Sequence, residues 1–312
     1  MKDKMKRYLC LFAIIGFYTA CITSGTQAAE KTEINPKVWL VEIDSKSVAK
    51  FGKFPWSREK YANLIQRISA GTPRLIVIKL FLDQLKSPEE DKKLASEIQR
   101  AKNIILQARL SNDDEPPTRL NNRFGLKNPI KHYSDPYKIF ILRAASGWIP
   151  APIFQEHALD VGFVDILSPD NLKGIPLVVD YERAISDTRG WSFASLPLAI
   201  FRQYYQLKDF RLRHDPKLMT VDIAGHTVAV AENQEIKIDW SYVDKIKTKS
   251  VVDVLSKEFD PNIFRDSVII IGYGGSEMPR AKLSNGQNVD GNRIIAAATL
   301  HLLTQYKPKG KM

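Results

Sequence analysis

Val38-Trp39-Leu40-Val41-Glu42-Ile43-Asp44 (residues 38–44) is a β-prone apolar run that ends on an acid. Its reading decides the fold, because the pattern changes period directly after it. Ser57 can cap a helix over residues 58–69, with Tyr61, Leu64, Ile65 and Ile68 on one face at i, i+3, i+4 and i+7. Gly71-Thr72-Pro73 stops that helix, and residues 75–81 form a second apolar strand. Ser87-Pro88-Glu89-Glu90 is a capping box with proline at the first helical position, and Leu94, Ile98 and Ala101 make the stripe behind it. Residues 103–110 read as a third strand. The β-α-β-α-β order predicts one α/β domain with a mainly parallel or mixed central sheet flanked by helices.

Farther out, residues 111–136 form a polar excursion around Asp113-Asp114-Glu115-Pro116-Pro117. Residues 163–167 and 175–181 are expected to pair antiparallel, and residues 191–206 to form a helix with Pro197 near its start. A β-hairpin turns at Ala224-Gly225, between residues 218–223 and 226–231. A short helix over 250–257, a buried strand over 267–272 and a closing helix over 291–305 complete the pattern.

The chain has 312 residues, 44% hydrophobic and 26% charged, which is globular composition with enough length for a real core. Cys10 and Cys21 are the two cysteines, so the body carries no disulfide framework, thiol nucleophile or cysteine metal site. Lys2, Lys4, Lys6 and Arg7 precede an uncharged apolar run over residues 8–22, and Thr26-Gln27-Ala28 fits a cleavage site. That run is shorter than the roughly 20 apolar residues needed to span a bilayer. It predicts a signal peptide at 1–28, a linker at 29–37, a body at 38–306 and a basic tail at 307–312, with the mature protein in the periplasm. Tyr18-Thr19-Ala20-Cys21 also resembles a lipobox, so acylated Cys21 or an uncleaved leader is the expected route to a membrane. Of the net charge of +11, three units fall in the first 28 residues and eight remain, which favours acidic partners or surfaces. No nucleic-acid motif is present, and nucleic acid is not an expected partner.

Three stretches resemble the CHASE2 domain, an extracytoplasmic sensory module of bacterial signalling proteins. The first is Val41-Glu42-Ile43-Asp44 with Phe51-Gly52-Lys53-Phe54-Pro55-Trp56-Ser57-Arg58. The second is Gly162-Phe163-Val164-Asp165, and the third is Phe264-Arg265-Asp266-Ser267-Val268-Ile269-Ile270-Ile271-Gly272. They occur in family order over residues 38–304. The chain departs from the family at Lys79, where an acid is usual, at Tyr273-Gly274-Gly275-Ser276-Glu277, and at Ile295, where the closing helix lacks the family's histidine. Family members usually continue into membrane helices and a cytoplasmic output region. This chain stops at Met312, so the resemblance implies a sensory domain freed from its transmitter.

Asp44, Phe54, Trp56, Arg58, Lys79, Asp165, Gly272, Gly274, Gly275 and Glu277 are the candidate ligand or interface residues. Ligands in open α/β sheets bind beyond the carboxyl ends of the strands, where Asp44 and Lys79 fall. Asp44 is expected to pair with Arg58 or Lys79, either as a charged pocket or, by the more ordinary reading, as a bridge that fixes the Phe54-Pro55-Trp56 loop. Trp56 reads more readily as a core plug than as a ligand platform. Gly272-x-Gly274-Gly275 has some likeness to a phosphate loop, but Glu277 stands where its last glycine belongs, and a sharp turn is the simpler account. The five histidines have no metal-binding spacing, and neither a metal nor a cofactor is expected.

The expected function is a non-enzymatic binding module, acting as a periplasmic sensor or as a partner-binding subunit of an envelope assembly. Its partner would be an envelope protein or a small-molecule ligand. Trp148-Ile149-Pro150 and Tyr204-Tyr205 are the apolar stretches expected at an interface. The alternative is a periplasmic hydrolase of a cell-wall polysaccharide or ester, with Asp44 or Ser276 in its chemistry.

Overall fold

The computed structural model describes residues 35–111, 119–126, 142–181, 191–207, 213–215, 219–231, 235–276 and 278–308. The expected leader with Cys21, most of the polar excursion, Glu277 and the last four residues lie outside them.

The main sheet holds seven strands: β1 (Val38–Ile43), β2 (Leu75–Lys79), β3 (Ile104–Ser111), β4 (Ser146–Trp148), β5 (Asp160–Phe163), β6 (Lys247–Ser250) and β7 (Val268–Tyr273). Their order is β6-β1-β7-β2-β3, and both β5 and β4 pair with β3. Every pairing is parallel except that of β3 with β4, so the sheet is mixed. Helices α1 (Ser45–Phe51), α2 (Arg58–Ser69), α3 (Pro88–Ala101), α4 (Leu196–Tyr204), α5 (Val251–Val254) and α6 (Gly291–Gln305) cover it.

The strands read as nearly continuous apolar runs because both faces are buried. Alternate residues divide between two cores. Val38, Leu40, Val77, Ile105 and Ile270 pack with α4 and α6, whereas Val41, Ile43, Ile76, Ile78 and Ile271 pack with α2 and α3. Neighbouring strands therefore send the chain to opposite faces. β1 and β2 lead to α2 and α3, while β7, which lies between them, leads by way of a short hairpin to α6. In open α/β sheets such a divergence marks the carboxyl ends, here those of β1, β7 and β2, as the place where ligands bind. At the rim of the sheet, β6 is paired on one side only among the described residues, and it carries Lys247 and Lys249.

Ser87 Oγ accepts from Glu90 N at 3.2 Å, as the capping box requires. The Ala224-Gly225 turn joins Thr220–Ile223 to His226–Ala229 with φ of 53° and 87°, the two positive values of a type I′ hairpin. Two expectations fail. Residues 163–167 and 175–181 do not pair with each other. Instead β5 joins the main sheet, Gly174–Pro176 pairs with Glu235–Lys237, and Val178–Tyr181 pairs with Trp191–Ala194. Residues 191–194 are thus strand, and the helix begins only at Leu196. The apolar content of these runs reports burial, and long-range pairing decides the rest. Tyr204 and Tyr205 are buried, with Tyr205 Oη donating to Leu303 O at 2.6 Å, so they belong to the core and not to an interface.

Candidate functional site at the strand crest

Period two carries Glu42 onto the α6 face after Val38 and Leu40, and Lys79 onto the same face after Leu75 and Val77. Register places Glu42, Gly272 and Lys79 side by side on β1, β7 and β2. One step beyond the Ile78–Leu106 pair, Gln107 extends the row, and Gly162 stands beside it on β5. The line of polar and glycine positions thus falls at or just before the ends of β1, β7 and β2, and midway along β3. The Cα atoms of Glu42 and Lys79 stand two strand spacings apart, about 10 Å.

Gly272 is required by what lies over it. A Cβ there would fall 2.6 Å from Asn292 Oδ1. Asn292 is fully buried, and its Nδ2 donates to Tyr273 O at 2.7 Å. Asp290 caps α6, accepting from Asn292 N at 2.9 Å and Arg293 N at 3.1 Å. A carboxylate therefore already occupies the helix N-terminus where a phosphate would bind, and the glycines do not form a phosphate cradle. Neither are they a left-handed turn: Gly272 continues β7, and Gly274 N donates to Ile43 O at 3.1 Å.

The charges of the row are strained by burial and left open. Burial, reinforced by Asp290, pushes the Glu42 carboxyl up, with Arg293 opposing. Burial pushes the Lys79 amine down to about 8; Asp290 opposes the shift and Arg109 adds to it. Neither Glu42 nor Lys79 makes a side-chain hydrogen bond or ion pair among the described residues. Gln107 Oε1 and Asn292 Oδ1 are also buried without a partner. Such groups cost free energy until something meets them. Farther along the crest, Asp165 Oδ2 accepts from Leu110 N at 3.0 Å, and burial pushes its carboxyl up to about 6.

The expected Asp44 pairing is not formed. Asp44 caps α1, accepting from Ser47 N at 2.9 Å, Ser47 Oγ at 2.7 Å and Ser250 Oγ at 2.9 Å. Burial works against its ionisation, but these hydrogen bonds prevail and hold the carboxyl below its ordinary value. Asp44 is thus a clasp between α1 and the start of α5. Arg58 instead turns to Asp91 at 3.3 Å and to Gln84 O at 2.5 Å, buried under α3. Trp56 is a core plug whose Nε1 donates to Gly52 O at 2.7 Å. Phe54 stacks on Tyr273 with ring centroids 4.1 Å apart and closes over the end of β7. Beyond Lys79, the loop after β2 exposes Phe81, whose ring meets Trp148 at 4.5 Å, and Leu85 is 63% exposed. Of the predicted residues, the crest gathers Lys79, Gly272, Gly274 and, toward β3, Asp165. Arg58 and Trp56 belong to the packing of α2, and Gly275 only opens the turn to Met278.

A model of the CHASE2 domain matches residues 18–310. The chain belongs to the CHASE2 domain family. CHASE2 domains are extracytoplasmic sensory modules. No curated protein and no solved structure matches the chain. Among the described residues, no helix is long and apolar enough to cross a membrane.

Sequence reading missed Glu42, Gln107, Asp290 and Asn292. A signal was present: Glu42 and Lys79 each interrupt an otherwise apolar strand near its carboxyl end, and Gln107 follows the apolar run Ile104-Ile105-Leu106 that opens β3.

Proposed function

We propose that this CHASE2 domain is a periplasmic sensor that binds a small dipolar solute across its strand crest. The observation that carries the reading is the open pair in one register row, the Lys79 ammonium and the Glu42 carboxylate on either side of Gly272. A zwitterion of amino-acid size supplies an anion for the first and a cation for the second. Its remaining donors suit Gln107 Oε1 and Asn292 Oδ1. Binding would replace four unmet groups at once, and the signal would be the ordering of the carboxyl ends of β1, β7 and β2.

The test is a thermal-shift screen of amino acids and betaines, run on the wild type and on Lys79→Met and Glu42→Gln. Both variants keep the fold, and Lys79→Met melts at or above the wild-type temperature because it removes a desolvated charge. At least one zwitterion raises the wild-type melting temperature, and both variants lose the response. A response that survives in both variants sinks the reading, as does a screen in which no zwitterion acts.

A second reading, a subunit that docks on an envelope protein, is favoured by the exposed Phe81, Leu85 and Trp148 beside the crest. It predicts that Trp148→Ala with Leu85→Ser abolishes in-cell crosslinks to one defined partner while zwitterion binding persists.

A further inference from the structure

A second cleft, of about 480 Å³, opens at the opposite ends of the parallel strands, where β2 and β3 begin. Arg74, Lys102, Arg123 and Arg202 line it, and Asp160 is the one carboxylate among its lining residues. Asp160 is fully engaged. It accepts from Arg202 through both Nε and Nη2, from Gln203 Nε2 at 2.8 Å and from Val161 N at 2.8 Å. Arg74 Nε donates to Tyr204 O at 2.7 Å, and its guanidinium lies 4.4 Å over the Tyr204 ring. Arg123 Nη2 is shared among Gln155 O, Glu156 O and Ala158 O. The other guanidinium nitrogens of Arg74 and Arg123 have no hydrogen-bond partner among the described residues, and the Lys102 ammonium has neither a hydrogen bond nor an ion pair there.

The bland account is that these cations serve helix C-termini, since Lys102 caps α3 and Arg74 caps the last turn of α4. Magnitude decides against its sufficiency. Each helix end supplies about half a negative charge. Two such ends offset about one unit, and Asp160 offsets another. Four cations then leave about two positive charges facing a cleft of ligand size.

We infer that this cleft is a binding site for a small organic dianion carrying a phosphate ester or a pair of carboxylates. Arg74 and Lys102 hold the ligand with their unused donors. Arg202 is held in place by Asp160, and Arg123 by the carbonyls after residue 154. The site is independent of the crest, which lies at the other ends of the strands.

Titration calorimetry with glycerol 3-phosphate and with succinate, against sodium chloride at equal ionic strength, tests the assignment on the purified protein. At least one dianion binds saturably at one site, and the stronger of the two names the oxyanion chemistry. Lys102→Gln, an exposed change, lowers that affinity about tenfold, and Arg74→Gln with Lys102→Gln abolishes it. Lys79→Met leaves it unchanged. Heat no greater than that of chloride overturns the assignment. So does affinity that Lys102→Gln leaves intact, or that Lys79→Met removes.

Discussion

At the scale of single residues, ionisation carries a measurable cost at the crest. Asp165 titrates at about 6 in the folded protein, against 3.8 unperturbed. Between those values the folded form keeps a proton that the unfolded chain has released. Stability therefore falls as pH rises through about 4 to 6, and it stays lowered above that window. Asp165→Asn keeps an acceptor for Leu110 N and removes the charge. The variant is expected to exceed the wild type at pH 7.5 by on the order of 1–2 kcal/mol, after discounting for partial solvation. The advantage disappears by pH 3.5, where both carboxyls are neutral. Urea unfolding at a series of pH values measures it, and a difference independent of pH would assign the effect to packing. The residue types of the site were visible in the sequence, but their partners were not. Asp44 shows why: Arg58 and Lys79 were both within plausible reach, yet Ser47 and Ser250 took the carboxylate. Ser250 is distant in sequence and comes to Asp44 only because β6 lies beside β1.

At the scale of elements, close approach decides which glycines matter. A Cβ on Gly162 would lie 2.5 Å from Leu196 Cα, against the backbone that starts α4. A Cβ on Gly272 would press on Asn292, whose amide is buried and bonded to Tyr273 O. A Cβ on Gly274 would meet Glu42 Cδ at 3.5 Å, an ordinary contact. Chemical denaturation of the three alanine variants is expected to rank them in that order. Gly162→Ala loses about 3 kcal/mol or more, because backbone cannot step aside. Gly272→Ala loses about 1–3 kcal/mol as Asn292 yields its hydrogen bond. Gly274→Ala stays within about 0.5 kcal/mol of the wild type. Equal losses at all three would refute close approach as the cause. Elements set by local signals were readable in advance: α2, α3, α6 and the hairpin at Ala224-Gly225 announce themselves by stripe, cap and turn. Elements set by distant partners were not. The short strands over 174–176, 178–181 and 191–194 take their identity from what they pair with, and Trp191–Ala194 reads equally well as the start of a helix.

At the scale of the whole molecule, the sheet holds two chemically distinct ends. Opposite charges stand open at the carboxyl ends of the strands, while a cationic surplus collects where β2 and β3 begin. The family resemblance foresaw the general kind of module, and the rule that open α/β sheets bind beyond the carboxyl ends of their strands directed attention to the first end. Nothing in residue spacing pointed to the second, whose four cations come from four separate segments. One further feature bears on how copies of the domain coexist. Among the described residues β6 ends the sheet with no strand paired along its outer side, and Lys247 and Lys249 sit on that strand, the first with its ammonium 5.2 Å over the Trp39 ring. Such a border is a template for polymerisation by strand addition, and lysines discourage it because like charges would be forced together at each new seam. Replacing both with valine is expected to leave monomer unfolding nearly unchanged, yet to produce light scattering and thioflavin-positive aggregates at concentrations where the parent remains dispersed. The two lysines therefore act as guards on the border, keeping neighbouring copies from zipping together.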